Sequence, residues 1–183
     1  MPKEIETKFK IGSAEKFKRN LKKIGARFLA KELERDTYYC HGILQDSGFT
    51  IRLRSVADKG IFTLKGSSGS APSRTYKVRN EIEAGINDVK AFGKILKQLG
   101  FMPRFKKEKI RETYKWKDAK ISVDKLPFMG FYAEIEGSKK SIKEAAGLLG
   151  LDMARAIPDT YMKLFDYYKM LHKKPDLQLV FRK

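Results

Sequence analysis

Glu4-Ile5-Glu6-Thr7-Lys8 decides how this chain is read. Alternate residues of a β-strand point to one side, so Glu4, Glu6 and Lys8 share a face while Ile5 and Phe9 lie on the other. The alternation recurs along the chain. Arg52 and Arg54 stand opposite Ile51 and Leu53, and Thr63 and Lys65 opposite Phe62 and Leu64. Lys77, Arg79, Glu81 and Glu83 alternate with Val78 and Ile82, and Lys109 and Arg111 flank Ile110. Asp124 follows Val123, and Glu134 and Glu136 alternate with Ala133 and Ile135. A half-buried strand ordinarily has one polar face. Here that face is ionised in both signs, with eight basic and seven acidic side chains. If such strands close on one another they enclose a charged cavity. Its carboxylates would hold cations, and its lysines and arginines a polyanion.

Length and composition set the frame. The 183 residues suffice for one compact domain, and 42% hydrophobic with 11% aromatic residues is enough to fill a core, which argues against disorder. No apolar run reaches the roughly 18 residues of a membrane span. Met1-Pro2-Lys3-Glu4 enters the strand pattern without an apolar signal segment, so the expected compartment is the cytoplasm and no membrane partner is expected. Cys40 is the sole cysteine, which excludes internal disulfides and cysteine-rich metal sites; it reads as a small buried filler. The net charge of +18 favours polyanions. Yet Lys16, Lys18, Lys22, Lys23, Lys139, Lys140 and Lys143 read as solvated decoration of helix surfaces.

Three segments share a plan. Glu4-Ile5-Glu6, Glu81-Ile82-Glu83 and Glu134-Ile135-Glu136 are each followed by an amphipathic helix and a glycine: Gly25, Gly100, and Gly147 or Gly150. Ser13 caps the first helix, with Phe17, Leu21 and Ile24 as its stripe. Asn87 is the expected cap of the second, with Phe92, Ile95, Leu96 and Leu99. Ser141 and Glu144 have capping-box spacing for the third. Asp159 is the expected cap of a fourth, carrying Tyr161, Leu164, Phe165, Tyr168 and Leu171. Each stripe should lie on the outward faces of the strands. Strands are expected over 3–10, 36–41, 49–55, 60–66, 74–84, 104–115, 119–124 and 130–137. Eight strands against four helices predict an α+β fold with helices packed outside, and eight antiparallel strands can close into a β-barrel wide enough inside for one small ligand. Residues 66–73 form a loop, Lys117-Asp118 turns a hairpin, and no linker divides residues 1–183. Residues 170–183 are a candidate loose tail, with a short strand after Pro175 as the alternative.

Taken in order, these residues resemble a known family. Glu4-x-Glu6-x-Lys8 resembles the ExExK signature of the CYTH superfamily, the triphosphate tunnel metalloenzymes. Arg52-x-Arg54 is similar to its paired arginines, Lys65 closes a Thr-Leu-Lys strand, and Arg79-x-Glu81-x-Glu83 and Lys109-x-Arg111 follow. Asp124, Gly130 and Glu134-x-Glu136 come next, most like the class IV adenylyl cyclase branch, and Thr160-Tyr161 stands where relatives often carry Ser-Tyr. The resemblance covers roughly residues 3–165 and rests on the ordered set, since a lone ExExK says little.

The resemblance implies an eight-stranded antiparallel closed β-barrel, a tunnel that binds a triphosphate with Mg²⁺ or Mn²⁺. Hard divalent cations take carboxylate oxygens, which gives Glu4, Glu6, Glu134 and Glu136 as first-choice ligands, with Glu83 and Asp124 beside them and Glu81 behind. Bidentate arginines and point-charge lysines suit phosphates: Lys8, Arg52, Arg54, Lys65, Arg79, Lys109 and Arg111, with Lys77 a weaker member. Metals bridge phosphate oxygens in such chemistry, and a water activated by the metal is the first choice of nucleophile. Glu4, Glu6, Lys8, Lys65 and Lys109 form the catalytic set, with Tyr38 or Tyr39 (Tyr39 the nominee) assisting beside Lys65 or Lys109. His41 and His172 receive no role.

Three functions compete. The first is a metal-dependent triphosphatase acting on inorganic triphosphate or a related compound. The second is a class IV adenylyl cyclase, which makes cyclic AMP and pyrophosphate from ATP and needs an adenine pocket that no residues here mark. The third is a noncatalytic binder of nucleic acid or polyphosphate, with steeply salt-dependent affinity. The partner is a triphosphate-bearing small molecule, with nucleic acid ranked behind it, and the chain is a monomer or homodimer.

Overall fold

The structure is a computed structural model that describes residues 3–42, 47–69, 71 and 73–182. Among the described residues eight strands and four α-helices follow in this order: β1 (Lys3–Ile11), α1 (Ala14–Lys23), β2 (Arg27–Cys40), β3 (Thr50–Val56), β4 (Lys59–Ser67), β5 (Lys77–Ile86), α2 (Val89–Gln98), β6 (Met102–Trp116), β7 (Ala119–Leu126), β8 (Gly130–Glu136), α3 (Lys139–Leu148) and α4 (Tyr161–Leu171). All pairings are antiparallel and the sheet closes in the order β1-β5-β4-β3-β2-β6-β7-β8. The expected α+β barrel is the fold observed.

The outward strand faces meet the helices in two separate cores. Phe9, Ile11, Trp116, Ile121 and Ile135 pack with Phe17 and Leu21 of α1 and Ile142 of α3. Ile51 and Leu53 pack with Leu96 of α2, joined by Phe62, Leu64 and Phe92. Among the described residues no helix is long and apolar enough to cross a membrane.

Three details correct the sequence reading. β2 begins at Arg27, nine residues before the expected 36. Residues 27–34 are rich in good helix formers, but long pairing with β6 overrides that preference, and a register shift between Phe28 and Ala30 breaks the alternation. Three helix caps also move: Asp88, Ser138 and Thr160 cap α2, α3 and α4, in place of Asn87, Ser141 and Asp159. Ser141 lies inside α3 and bonds Ser138, Glu144 pairs with Lys117, and Asp159 pairs with Lys163. Cys40 is half-buried, not a core filler, and its thiol faces the Met102 carbonyl at 3.5 Å.

α4 packs differently from the other helices. It lies at one end of the barrel rather than on an outward face. Tyr161 and Phe165 cluster with Leu126, Met129, Tyr132, Phe105 and Leu179. Phe105, Leu126 and Tyr132 have the same parity as Lys107, Asp124 and Glu134, so the inward positions change there from charged to apolar. The C-terminal segment is tied to the same end. The Glu108 amide donates to the Leu179 carbonyl at 2.7 Å, and Leu179 is fully buried. Leu179→Ala should therefore cost about 2 kcal/mol or more in chemical denaturation, as for other buried leucines; an unchanged midpoint would mean that the segment is not docked.

Candidate functional site

Inside the barrel lies a cavity of about 640 Å³. Eleven lysines and arginines and seven glutamates line it, leaving an excess of positive charge. All eight strands contribute to this lining, most of it through period-2 alternation, and register brings opposite charges face to face. Glu6 stands across from Lys77 on one side and Glu136 on the other, Lys8 across from Glu134, and Lys65 across from Glu81. Cross-strand neighbours of opposite charge attract, and the ion pairs follow. Lys77 lies 2.5 Å from Glu6, Lys8 2.9 Å from Glu134, and Arg52 3.0 Å from Glu83. Lys65 bonds Glu81, Arg111 bonds Glu134 and Lys120 bonds Glu136.

Most sequence-derived candidates meet here. Glu4, Glu6, Lys8, Arg52, Arg54, Lys65, Lys77, Arg79, Glu81, Glu83, Lys109, Arg111, Glu134 and Glu136 all line the cavity. Two do not. Tyr39 belongs to the outer core with Ile51, Leu53 and Leu96, because strand parity turns it toward α2. Tyr38, its neighbour, faces inward, and its hydroxyl accepts from Lys107 Nζ at 3.2 Å, not from Lys65 or Lys109. Asp124 lies behind the cavity wall with its side chain fully buried. Both its oxygens are engaged, by Arg111 Nε (2.7 Å) and Nη2 (2.6 Å), Lys109 Nζ (3.3 Å) and the Tyr161 hydroxyl (2.9 Å).

The sequence reading missed Glu34, Asp36, Lys107 and Lys120. One further step along Lys107-x-Lys109-x-Arg111 finds Lys107, and Glu34-x-Asp36-x-Tyr38 carries the same period. Both pairs of neighbours were hidden by strand limits drawn too short or by pairing only two residues. His41 packs at a tilt against Phe101 and His172 against Tyr168.

Electrostatics divide the carboxyls. Burial, a hydrogen bond to Glu81 and the charge of Glu6 push the Glu4 carboxyl up to about 8, against Lys65. Burial would raise Glu6 too, but Lys77 and Lys8 outweigh it and Glu134 and bring Glu6 down to about 2. Burial likewise opposes ionisation of Tyr38, yet Lys107, Arg52 and Arg54 together pull the phenol below its usual range. The anion-binding capacity is not exhausted by these pairs. Arg52 Nε is buried without a hydrogen-bond partner, and Arg79 makes no ion pair among the described residues.

No three of the described His, Cys, Asp and Glu residues converge as a ready cation site, since lysines and arginines hold the glutamates apart. The donor set nevertheless fits a hard divalent cation. Glu4 keeps a proton because it is buried and because its neighbours are carboxylates, and a cation among Glu4, Glu6 and Glu81 would offset both penalties. Glu136 stands across from Glu6 on the neighbouring strand.

Comparison with known proteins gives a consistent picture. The family model described as CYTH domain matches residues 2–156. A Methanocaldococcus jannaschii protein, provisionally named an adenylate cyclase, is 35% identical over 144 residues, 77% of this chain and 80% of its own. The PH1012 protein of Pyrococcus horikoshii OT3 superposes with a TM-score of 0.76 at 26% identity, covering 88% of this chain and 98% of that one. A Hippeastrum protein, HpAC1, described as revealing a dominant triphosphatase activity, shares the fold with a TM-score of 0.61 at 13% identity, over 91% of this chain and 96% of its own.

The Glu4 carboxyl holds its proton to about pH 8 in the folded protein but ordinarily only to 4.5. Folding therefore binds a proton between those values, and stability falls as pH rises through that window. Thermal melts without divalent cation should show this decline in the wild type and a flatter profile in Glu4→Gln. Parallel profiles would contradict the assignment.

Proposed function

Because the chain belongs to the CYTH domain family, we propose that its tunnel binds a triphosphate-bearing small molecule with a divalent cation and hydrolyses it, inorganic triphosphate being the preferred class. One observation carries this reading: a cavity inside the barrel lined mostly by lysines, arginines and glutamates, with cations in excess. A triphosphate carries several negative charges, and arginine and lysine are its natural binders. Arg52 keeps its Nε without a partner beside its pair with Glu83, and Arg79 makes no ion pair among the described residues. Lys8, Lys65, Lys77, Lys109 and Arg111 exchange glutamate partners for phosphate oxygens, with Arg54 fixed beside them. Glu4, Glu6, Glu134 and Glu136 would hold the cation, with Glu83 at the wall beyond Arg52. When bound, the cation, Mg²⁺ or Mn²⁺, would neutralise charge that develops on the phosphate oxygens. Tyr38, kept on the acidic side of its usual range by Lys107, is placed to assist the attacking water.

The wall favours an inorganic chain over a nucleotide. Its aliphatic side chains, among the described residues, are Ile61 and Met162. Its two aromatic rings lie against cations, Tyr161 with Lys8 at 4.5 Å and Tyr38 with Lys107 at 5.5 Å. Both rings are engaged by lysines rather than open to a purine. The second reading, adenylyl cyclase, is favoured by the name of the M. jannaschii relative. The same tunnel would serve it if the ribose hydroxyl, rather than water, met the chain at its α-phosphorus.

Product analysis separates the two. The purified protein with Mg²⁺ or Mn²⁺ should release phosphate and pyrophosphate from inorganic triphosphate and form no cyclic AMP from ATP. Cyclic AMP with pyrophosphate would favour the cyclase. Glu6→Gln should abolish turnover, a loss of at least about a hundredfold for a group that contributes several kcal/mol at the transition state, while leaving the far-ultraviolet circular dichroism unchanged. Full activity in that variant would overturn the site.

A further inference from the structure

Asp36 lines no part of the cavity, yet two of the cavity's cations depend on it. Its side chain is fully buried. On β2 it stands directly across from Arg54 of β3 and Lys107 of β6. Its Oδ1 accepts from Arg54 Nε at 2.7 Å, and its Oδ2 accepts from Arg54 Nη2 at 3.0 Å. Lys107 Nζ lies 2.9 Å from the same Oδ2 and donates onward to the Tyr38 hydroxyl. Arg54, Lys107 and Tyr38 all face the cavity.

The arrangement occurs a second time. Asp124 is also fully buried, grips Arg111 through Nε and Nη2, meets Lys109, and accepts from the Tyr161 hydroxyl. Each cluster is an aspartate behind the wall, an arginine held through two nitrogens, a lysine and a tyrosine. Glu34 joins the two, lying 2.9 Å from Arg54 and 3.2 Å from Lys109.

We propose that Asp36 is a positioning residue of the tunnel, a buried anion that fixes Arg54 and Lys107 and weakens the field they exert on a bound phosphate chain. The inference rests on the reading that such a chain occupies the cavity. Groups already held in place need not reorganise as charge shifts during reaction. Binding that is equally strong for substrate and transition state adds nothing to turnover, so an anion that tempers the grip on substrate and product costs little and eases release. Burial pushes the Asp36 carboxyl up, but Lys107 and Arg54 outweigh burial and hold it well below its usual range, so the charge is present at neutral pH.

The test compares Asp36→Asn, which keeps the shape and removes the charge, with Asp36→Glu, which keeps the charge and displaces it. Asp36→Asn should bind inorganic triphosphate without metal about tenfold more tightly, a fraction of what an uncompensated charge at ion-pair distance exerts. Its kcat should fall while KM does not rise, and the divalent-cation concentration giving half activation should stay put. Asp36→Glu should lose kcat without gaining affinity. If Asp36→Asn folds poorly because its cations are left unpaired, sulfate should raise its melting temperature more than the wild type's. Unchanged triphosphate affinity in Asp36→Asn, or a shifted metal requirement, would overturn the inference. A wild type that binds no triphosphate would overturn the proposed function instead. Sulfate would then decide the inference alone: a larger stabilisation of Asp36→Asn supports it, and an equal one refutes it.

Discussion

Charge pairing inside a closed barrel is the constraint on which the rest of this structure depends. An ion moved from water into a protein interior loses solvation worth several kcal/mol even after relaxation. The barrel encloses many such groups and tolerates them because strand register sets opposite charges against each other. Glu6 sits between Lys77 and Lys8, Glu134 between Lys8 and Arg111, and Asp36 between Arg54 and Lys107. Antiparallel pairing fixes that register, and the apolar outward faces fix the pairing. A slip of one residue would turn every charged face outward and every apolar face in. The helices α1, α2 and α3 thus stabilise the charged interior indirectly, by making the alternative register impossible.

The same pairing suits exchange. A wall of lysines alone would repel itself, and a wall of glutamates alone would fill with protons, as Glu4 does in part. Interleaved, the two sets neutralise one another. In the proposed function the lysines and arginines would turn to phosphate oxygens as the glutamates turn to the cation. The two arriving ions would then replace partners instead of adding uncompensated charge. The buried aspartates would stand outside this exchange and keep part of the wall fixed.

Much of the fold and site was legible because its signal is local. Period-2 alternation of ionised and apolar residues gave the strands, and fourteen of the charged positions read from it line the cavity. What escaped depends on tertiary context. Residues 27–34 are composed like a helix and become strand only through their pairing with β6. Asp124 has the alternation of a cavity residue, and only the packing of Tyr161 and Arg111 around it shows that it lies behind the wall. Tyr38 and Tyr39 are adjacent, and the bulge between them and the position of α2 decide which faces in. α4 carries an ordinary amphipathic stripe, and nothing in that stripe distinguishes the end of a barrel from its side.

In the proposed function a single site inside the barrel exchanges its internal ion pairs for a triphosphate and a divalent cation. Calorimetric titration of inorganic triphosphate into the protein, with and without Mg²⁺, tests it most directly. The account predicts one saturable site per chain whose affinity rises when Mg²⁺ is present and persists at physiological salt. Binding of several equivalents per chain that vanishes as salt increases, indifferent to Mg²⁺, would contradict it and identify the charge as a surface for polyanions at large.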